Sequence, residues 1–252
     1  MTQTFQPLIL QYDSLPSTNT EAARQAAQGA PEGLCIVARE QTAGRGRQQR
    51  VWASPADAGL YFSILLRPRI HMHAWPLLTL MAAIAVADAL RDAYALDVDI
   101  KWPNDIQARG RKLCGILAEA IESASGRACV VGIGINLTEQ AFPQELRETA
   151  IAVETLTGER RPAREPLLRS LVAALAARYE QLQAAGGDAW VVREWTARSS
   201  YAEGKRVRVA LDAEIIEGTT RGLETDGALR VETPRGEIRI VRAGDVTSLR
   251  EK

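Results

Sequence analysis

Apolar residues recur at alternate positions or in short runs along the first half of the chain, with Gly, Pro, Asn and Asp between the runs. This pattern is typical of β-strands separated by turns. It predicts five strands, at residues 8–12, 34–38, 59–66, 98–102 and 128–135. Residues 105–122 add a hairpin that turns at 109–112.

Three regions instead show the three-to-four-residue spacing of helices. The first helix opens at Ser17, where Thr18 and Glu21 have the spacing of a capping box, and ends at Gly29. The second covers residues 76–94. The third region, 144–199, is most strongly helical at 165–184.

The pattern changes again near residue 200. Four short alternating stretches, KRVRVAL, EIIEGTT, LRVET and EIRIVRA, are separated by Gly, Asp and Pro, which predicts a small all-β barrel. We therefore expect an α+β protein. A mixed β-sheet with packed helices occupies residues 1–199, and a small C-terminal β-barrel domain occupies residues 200–252.

Composition narrows the function classes. Thirty-one Lys and Arg balance thirty-one Asp and Glu, whereas a general nucleic-acid binder has a basic excess. The N-terminus lacks the features of a signal peptide, and the longest apolar run, at 77–86, is expected to be too short to span a bilayer. The cysteines form no CxxC pair and lie in apolar stretches: Cys35, Cys114 and Cys129. We expect a cytoplasmic protein with buried, reduced thiols and no membrane partner.

The Arg loop, residues 41–52 (QTAGRGRQQRVW), concentrates cations between glycines and an aromatic residue: Gly44, Arg45, Gly46, Arg47, Arg50 and Trp52. The glycines disfavour a helix and favour a mobile backbone. Two interpretations fit. The stretch is either a solvated surface loop or a lid whose guanidinium groups close on a phosphate or carboxylate.

Three further stretches combine ordinary turn or strand chemistry with candidate ligand contacts. KWPND, residues 101–105, is either a Pro-Asn turn or a cation, an amide and a carboxylate that bind phosphate oxygens and Mg²⁺. Gly115, in a strand after Lys112, marks either the close approach of a ligand or another backbone, or a bulge or tight helix packing. The alternate glycines of GIGIN, residues 132–136, leave a slot for a flat ligand or a packed helix.

The start of the first helix also allows two interpretations. Ser17, Thr18 and Asn19 either cap the helix or offer polar groups to a ligand. His71 and His73 have no third ligand in view, so we predict no metal site. No Ser-His-Asp or Cys-His nucleophile system is evident.

Taken in order, these stretches resemble the successive motifs of biotin protein ligases (biotin–acetyl-CoA-carboxylase ligases). The motifs are GRGRQQRVW, KWPND, KLCGILAE and GIGINL, preceded by STNTEA and QTAGRG, and the resemblance covers residues 8–140. The small β-domain after residue 200 also fits the family layout. The resemblance implies a catalytic domain like those of class II synthetases and lipoate ligases, with an SH3-like C-terminal barrel.

The resemblance implies an ATP-dependent ligase that acts in two steps. Biotin and MgATP first form biotinyl-5′-AMP and pyrophosphate. A lysine of the biotin carboxyl carrier protein of acetyl-CoA carboxylase, or of a related carboxylase, then accepts the biotin. ATP, Mg²⁺ and biotin are thus substrates, and no tightly bound prosthetic group is expected. A homodimer is compatible with the resemblance.

The resemblance also implies roles for individual residues. Biotin is expected to contact Ser17, Thr18, Asn19, Gln41, Gly44, Arg45, Arg47, Lys112, Gly115, Gly132 and Gly134. ATP is expected to contact Arg47, Arg50, Trp52, Lys101, Asn104 and Asn136. The expected catalytic residues are Lys112, which bridges the biotin carboxylate and the α-phosphate, Arg47 on the lid, and Asp105, which positions or deprotonates the acceptor lysine.

The chain departs from the family pattern in two ways. The family's loop usually reads GRGR-x-GR-x-W, and Gln49 stands where that pattern has its third glycine. If this position needs a positive φ, glutamine strains it and alters lid closure. Bifunctional members carry an N-terminal DNA-binding helix-turn-helix, whereas the first strand here begins near residue 8. We therefore expect a monofunctional ligase that does not bind DNA.

Two other functions stay open. One is a lipoate or octanoate ligase or transferase, which the same general fold serves, although Ser17, Thr18 and Gln41 favour a ureido ring over a plain acyl chain. The other is a non-enzymatic module that binds nucleic acid or another anion through the Arg loop, which the neutral net charge opposes.

Overall fold

The main sheet of the protein has seven strands among the described residues. The computed structural model describes residues 7–123, 126–139, 142–160, 162–211 and 214–249. The strands are β1 Leu8–Leu15, β2 Leu34–Gln41, β3 Gly59–Leu66, β4 Asp99–Lys101, β5 Asp105–Ala108, β6 Arg111–Ser123 and β7 Gly126–Asn136. Their order is β1-β2-β3-β7-β6-β5-β4. Strands β1 and β2 run parallel and all other neighbours run antiparallel, so the predicted mixed sheet and the predicted β5–β6 hairpin are confirmed.

Helices cover both faces of this sheet. They are α1 Thr18–Ala27, α2 Pro76–Tyr94, α3 Val153–Thr157, α4 Arg164–Gln183 and α5 Gly187–Ala197. Successive strand residues point to opposite faces. In β2, Cys35 and Val37 accordingly join the core around α2, whereas Leu34 and Ile36 pack with α1. Strand β3 is buried along its whole length, because both of its faces are covered.

Helix α2 is apolar on all sides because it is the central helix of the core. It packs against the sheet, α4 and α5. The segment Met72–Tyr94 contains an 18-residue window with a mean hydropathy of 1.5, so by length and composition alone it is long and apolar enough to cross a membrane. The helix is thus longer than the run 77–86 on which the expectation of no membrane span was based. Its most apolar window is 72% buried inside the protein, which is typical of a core helix.

The C-terminal region forms a second, five-stranded antiparallel sheet within the described residues. Its strands are β8 Glu203–Ala210, β9 Ile215–Leu223, β10 Leu229–Glu232, β11 Ile238–Val241 and β12 Asp245–Ser248, in the order β11-β10-β9-β8-β12. The four predicted strands are present. The short fifth strand, β12, was missed because its sequence, DVTS, carries one apolar residue.

The two sheets share one core. Val207, Leu229 and Val231 belong to the same buried cluster as α2. The indole Nε1 of Trp102 donates to the carbonyl of Gly227 at 3.0 Å. The domain division at residue 199 stays a prediction. It falls between the end of α5 and the start of β8, and the second sheet borders the region described next.

Candidate functional site

Nearly all of the side chains that the sequence analysis selected converge on one cavity of about 780 Å³. It is lined by β6 and β7, the start of α1, the Arg loop, the segment 142–150 and the C-terminal region. The selected residues that line it are Ser17, Thr18, Asn19, Gln41, Arg45, Arg47, Arg50, Trp52, Lys101, Asn104, Asp105, Lys112, Gly115, Gly132, Gly134 and Asn136. A larger cavity of about 1170 Å³, beside α3, contains none of them.

The start of α1 is built around Gln41 rather than around a capping box. Ser17 is the N-cap residue but makes no side-chain cap bond. The Thr18 N–H and hydroxyl both donate to Gln41 Oε1, at 2.8 and 3.1 Å, and Gln41 Nε2 donates to Ser54 Oγ at 2.8 Å. The predicted capping box is therefore wrong, because a side chain 23 residues away competes for the Thr18 donors.

Ser63 is a site residue that the sequence analysis missed. Its hydroxyl donates to Asn19 Oδ1 at 2.6 Å and lies 2.7 Å from the Thr18 hydroxyl. It is fully buried in the middle of β3. The available signal was one hydroxyl in the apolar run GLYFSILL, since a buried polar group needs partners. Thr18, Asn19 and Gln41 line the neutral end of the cavity, and Ser63 supports this end without lining it.

The alternate glycines of β7 make room for the protein's own side chains. A Cβ at Gly132 would lie 2.1 Å from Asn19 Oδ1, and one at Gly134 would lie 2.4 Å from Trp52 Nε1. A Cβ at Gly115, on the neighbouring strand, would lie 2.9 Å from Trp52 Cζ3. The slot thus receives helix α1 at Gly132 and the Trp52 indole at Gly134, and both line the cavity.

Gly44 does not line the cavity. A Cβ at this position would lie 2.4 Å from the carbonyl oxygen of Trp52 and 2.7 Å from Ser54 Oγ. Its carbonyl accepts a hydrogen bond from the Trp52 N–H at 2.9 Å. The glycine is needed because the two ends of the Arg loop pass close together there.

The Arg loop is folded, and each of its arginines has a partner. Arg45 pairs with Glu119 at 2.8 Å, and Arg50 pairs with Asp245 of the C-terminal sheet. Arg47 donates to Asn104 Oδ1 at 3.2 Å and more weakly to the carbonyl of Gly244 at 3.4 Å. The loop therefore bridges the two sheets of the protein.

Two consecutive glutamines in the Arg loop adopt the left-handed conformation. Gln48 has a φ of 52° and Gln49 a φ of 59°. The second is the position at which the expected motif has glycine, so the predicted strain is present. Non-glycine residues in this region cost about 1–2 kcal/mol each.

The opposite end of the cavity is cationic. Lys112 Nζ lies 2.6 Å from Asp105 Oδ1. Lys101 lies 5.8 Å from the centre of the Tyr201 ring, and burial lowers its pKa. Burial also lowers the pKa of Arg47. Arg47, Arg50, Lys101 and Lys112, with Asp105, form the cationic end, where cations outnumber carboxylates.

KWPND is both a turn and part of the cavity lining. Lys101 ends β4, residues 102–104 make the turn, and Asp105 begins β5. Asn104 Nδ2 donates to the carbonyl of Ile116 at 2.8 Å, which ties the turn to β6. The two interpretations of this stretch are thus compatible, because the turn aims its polar residues into the cavity.

The side-chain amide of Asn136 hydrogen-bonds to two backbone carbonyls in the wall of the cavity. Its Nδ2 donates to the carbonyls of Lys112 and Ile151, at 3.3 and 3.2 Å. The amide therefore joins β6, β7 and the segment after residue 142. Tyr201 and Asp245 also line the cavity and were missed, because only the folded chain brings the C-terminal region to this point.

The histidines and cysteines are not among the residues that line this cavity. Among the described residues, no group of three or more His, Cys, Asp or Glu could hold a metal ion. The rings of His71 and His73 stack with centroids 5.6 Å apart. All three cysteines are free and buried, as predicted, and burial raises the pKa of Cys35 to about 12.

Comparisons with known proteins match both parts of the chain. Residues 12–136 match the biotin/lipoate A/B protein ligase family, and residues 204–247 match the biotin protein ligase C terminal domain. The chain is 36% identical over 242 residues to the bifunctional ligase/repressor BirA of Bacillus subtilis, covering 93% of this chain and 72% of that protein. It is also 36% identical over 240 residues to the biotin–[acetyl-CoA-carboxylase] ligase of Mycobacterium tuberculosis, covering 93% and 86%.

A solved structure agrees in fold. The biotin protein ligase from Aquifex aeolicus in complex with biotin and ATP superposes with a TM-score of 0.82 and 26% identity, over 96% of this chain and 99% of that one. Three observations indicate the same family: the motifs that line the cavity, the two matched regions and the sequence identity to the relatives. The chain is therefore a member of the biotin protein ligase family.

Proposed function

We propose that this protein is a biotin–[acetyl-CoA-carboxylase] ligase, which forms biotinyl-5′-AMP and transfers biotin to a lysine of a carrier protein. The observation that carries this proposal is one cavity that joins a neutral, hydrogen-bonded end to a cationic end. An uncharged ureido ring suits the neutral end, and a carboxylate and phosphates suit the cationic end. The names of the relatives describe the same activity.

In the first step, a biotin carboxylate oxygen attacks the α-phosphorus of MgATP and pyrophosphate leaves. Two anions must approach each other, so charge repulsion is the main obstacle. We assign Lys112 to the space between carboxylate and α-phosphate, and Lys101, Arg47 and Arg50 to the phosphates. Mg²⁺ enters with ATP as part of the substrate and supplies further charge neutralisation.

Binding of the phosphates changes the partners of these cations. Lys112 is paired with Asp105 at 2.6 Å, and Arg50 is paired with Asp245. Phosphate oxygens compete with these carboxylates for the same donors. Asp105 is then free to position the acceptor lysine or take its proton, as the second step requires a neutral amine.

In the second step, the amine of the carrier lysine attacks the acyl carbon, and AMP leaves. Acyl adenylates hydrolyse in water, so the Arg loop protects the intermediate by covering it. Gly115 and Trp52 are assigned to the space between the two ends, since they lie against each other there. Gly132 and Gly134 are assigned to the biotin pocket, with Ser17, Thr18, Asn19, Gln41 and Arg45.

The cytoplasm is the proposed location, because ATP is supplied there and the three buried thiols stay reduced there. A carrier protein is the proposed macromolecular partner. The homodimer and the absence of DNA binding stay predictions.

Biotin-dependent exchange between ATP and labelled pyrophosphate tests this function. The full chain is assayed with MgATP and either biotin or lipoate. Exchange with biotin, at least about 100-fold more efficient than with lipoate, is the expected result. Exchange with lipoate alone would assign the chain to the lipoate branch of the family, and no exchange with either acid would refute the ligase function.

A further inference from the structure

Glu119 receives two hydrogen bonds on one oxygen, from two different walls of the cavity. Its Oε2 accepts from Asn19 Nδ2 at 2.7 Å and from Arg45 Nη2 at 2.8 Å. Asn19 belongs to the neutral end, and Arg45 belongs to the Arg loop. Glu119 itself lies on β6 and is not among the cavity-lining residues. It therefore contacts the cavity only through these neighbours.

The Glu119 carboxylate fixes the orientation of the Asn19 amide. Asn19 Nδ2 donates to Glu119 and to the carbonyl of Leu117, at 2.7 and 3.2 Å, while its Oδ1 accepts from Ser63 at 2.6 Å. A carboxylate accepts hydrogen bonds but cannot donate them. The amide nitrogen must face Glu119, and the amide oxygen must face Ser63.

The same chain of contacts reaches the far end of the Arg loop. From Ser63 it continues through Thr18 to Gln41, and Gln41 donates to Ser54 Oγ at 2.8 Å. The Ser54 hydroxyl donates to the Trp52 carbonyl at 3.0 Å. The loop is thus attached to the neutral end twice, by Arg45 at one side and by Trp52 at the other.

We infer that Glu119 is a positioning residue that couples closure of the Arg loop to the biotin-binding groups of the neutral end. The inference rests on the proposed function. Glu119 holds the Asn19 amide and the Arg45 guanidinium on one oxygen, so the biotin-binding groups and one side of the Arg loop are held in a single arrangement. Loss of the Glu119 charge leaves the pocket formed but weakens the Arg45 attachment of the loop, so more of the adenylate escapes before transfer.

Glu119→Gln tests this coupling with little change of shape. The glutamine oxygen can still accept from Asn19, but the ionic attraction for Arg45 is lost. Glu122→Gln is the control, because Glu122 lies on the same strand and pairs with Arg127 at 2.8 Å outside the cavity. The measurements are biotin-dependent pyrophosphate exchange and the fraction of biotinyl-5′-AMP released to solvent rather than transferred to an apo carrier domain.

The expected result for Glu119→Gln is an increase of about tenfold in released adenylate, with kcat for exchange and the thermal midpoint close to the wild-type values. Glu122→Gln should match the wild type. Arg45→Ala should leak to a similar extent, and the double variant should leak no more than Arg45→Ala alone, because both changes break one contact.

Three results would overturn the inference, and they differ from a failure of the proposed function. The first is that Glu119→Gln releases no more adenylate than the wild type. The second is that the effects of Glu119→Gln and Arg45→Ala add in the double variant. The third is that Glu122→Gln releases as much adenylate as Glu119→Gln, and each of these would show that Glu119 does not act through Arg45. In all three the wild-type protein still exchanges pyrophosphate with biotin. Absence of exchange in the wild type would instead refute the ligase function, and this inference with it.

Discussion

The neutral and cationic ends of the cavity are built in different ways. At the neutral end, Thr18, Asn19 and Ser63 are at most 4% exposed and are held by amides, hydroxyls, backbone groups and the Glu119 carboxylate, with no cation among them. At the cationic end, Lys112 and Arg50 are held by carboxylates and stay partly exposed. A buried network has one arrangement, whereas exposed ion pairs exchange partners readily.

Under the proposed function, this difference separates selection of biotin at the neutral end from activation of its carboxylate at the cationic end. Buried donors and acceptors that fit one ligand reject a ligand that leaves them unpaired. The cationic end must instead accept phosphates, release pyrophosphate and admit an amine, so its contacts have to change during the reaction. Trp52, packed on Gly115 and Gly134, lies at the junction of the two ends.

Removal of the Lys112 ammonium group should have the largest effect on activity. Lys112→Ala is expected to lower kcat for adenylate formation by about 10³-fold, because charge accumulates beside this ammonium group in the transition state. The KM for biotin should change much less. Initial rates of pyrophosphate exchange measure both. Arg109→Gln, an exposed cation at the turn of the same hairpin, is the control. A loss of less than about fivefold would contradict the role of Lys112.

Replacing the β7 glycines by alanine should affect the two ends of the cavity differently. Gly132→Ala pushes against Asn19 and should raise the KM for biotin alone, whereas Gly134→Ala pushes against Trp52 and should raise the KM values for biotin and ATP. Overpacking costs about 1–3 kcal/mol, or roughly fivefold to 150-fold in affinity. Gly115→Ala has the longer 2.9 Å approach and should give a smaller effect. Identical profiles for the first two variants would show that the ends are not separate.

Alkaline pH should weaken only the cationic end. Burial lowers the pKa of Lys101, so its ammonium group loses its proton at a lower pH than a free lysine does. As pH rises through that pKa, the attraction for phosphate is lost and the KM for ATP should rise, by about tenfold at most. Lys101→Arg stays charged and should show a flatter profile. Steady-state kinetics between neutral and alkaline pH measure this, and equal slopes for both proteins would contradict it.

Relief of backbone strain should give the smallest effect. Gln49→Gly removes the side-chain penalty at a φ of 59° and is expected to raise the free energy of unfolding by about 0.5–1 kcal/mol. Urea denaturation measures the change. Gln49→Ala is the matched variant, since it removes the amide but keeps a Cβ. Equal stabilisation by both substitutions would show that the conformation is not the cause.

The sequence predicted most of the fold because local patterns determine its elements. The predicted ranges 59–66 and 76–94 coincide with β3 and α2. The capping box at Thr18 was wrong, because a distant glutamine takes its donors. The longest apolar run, 77–86, is only part of its helix, because flanking residues continue the helix on both sides and the core covers most of it.

The motifs predicted which residues meet in the cavity but not what holds them. Ser63, Glu119 and Asp245 contact motif residues that are 44 or more positions away, and no local pattern marks such pairs. The glycine slot was identified, but its occupants, Asn19 and Trp52, became evident only in the folded chain.

The intact mass of an apo biotin carrier domain, measured after incubation with this protein, biotin and MgATP, is the most direct test of the proposed function and of the division between the two ends. We expect one biotinyl addition by the wild type. The Ser63→Ala variant, changed at the neutral end, should biotinylate the carrier slowly at limiting biotin and at the wild-type rate at saturating biotin. Arg47→Ala, at the cationic end, should be slow at both. No addition by the wild type, or the same biotin dependence for both variants, would contradict the account.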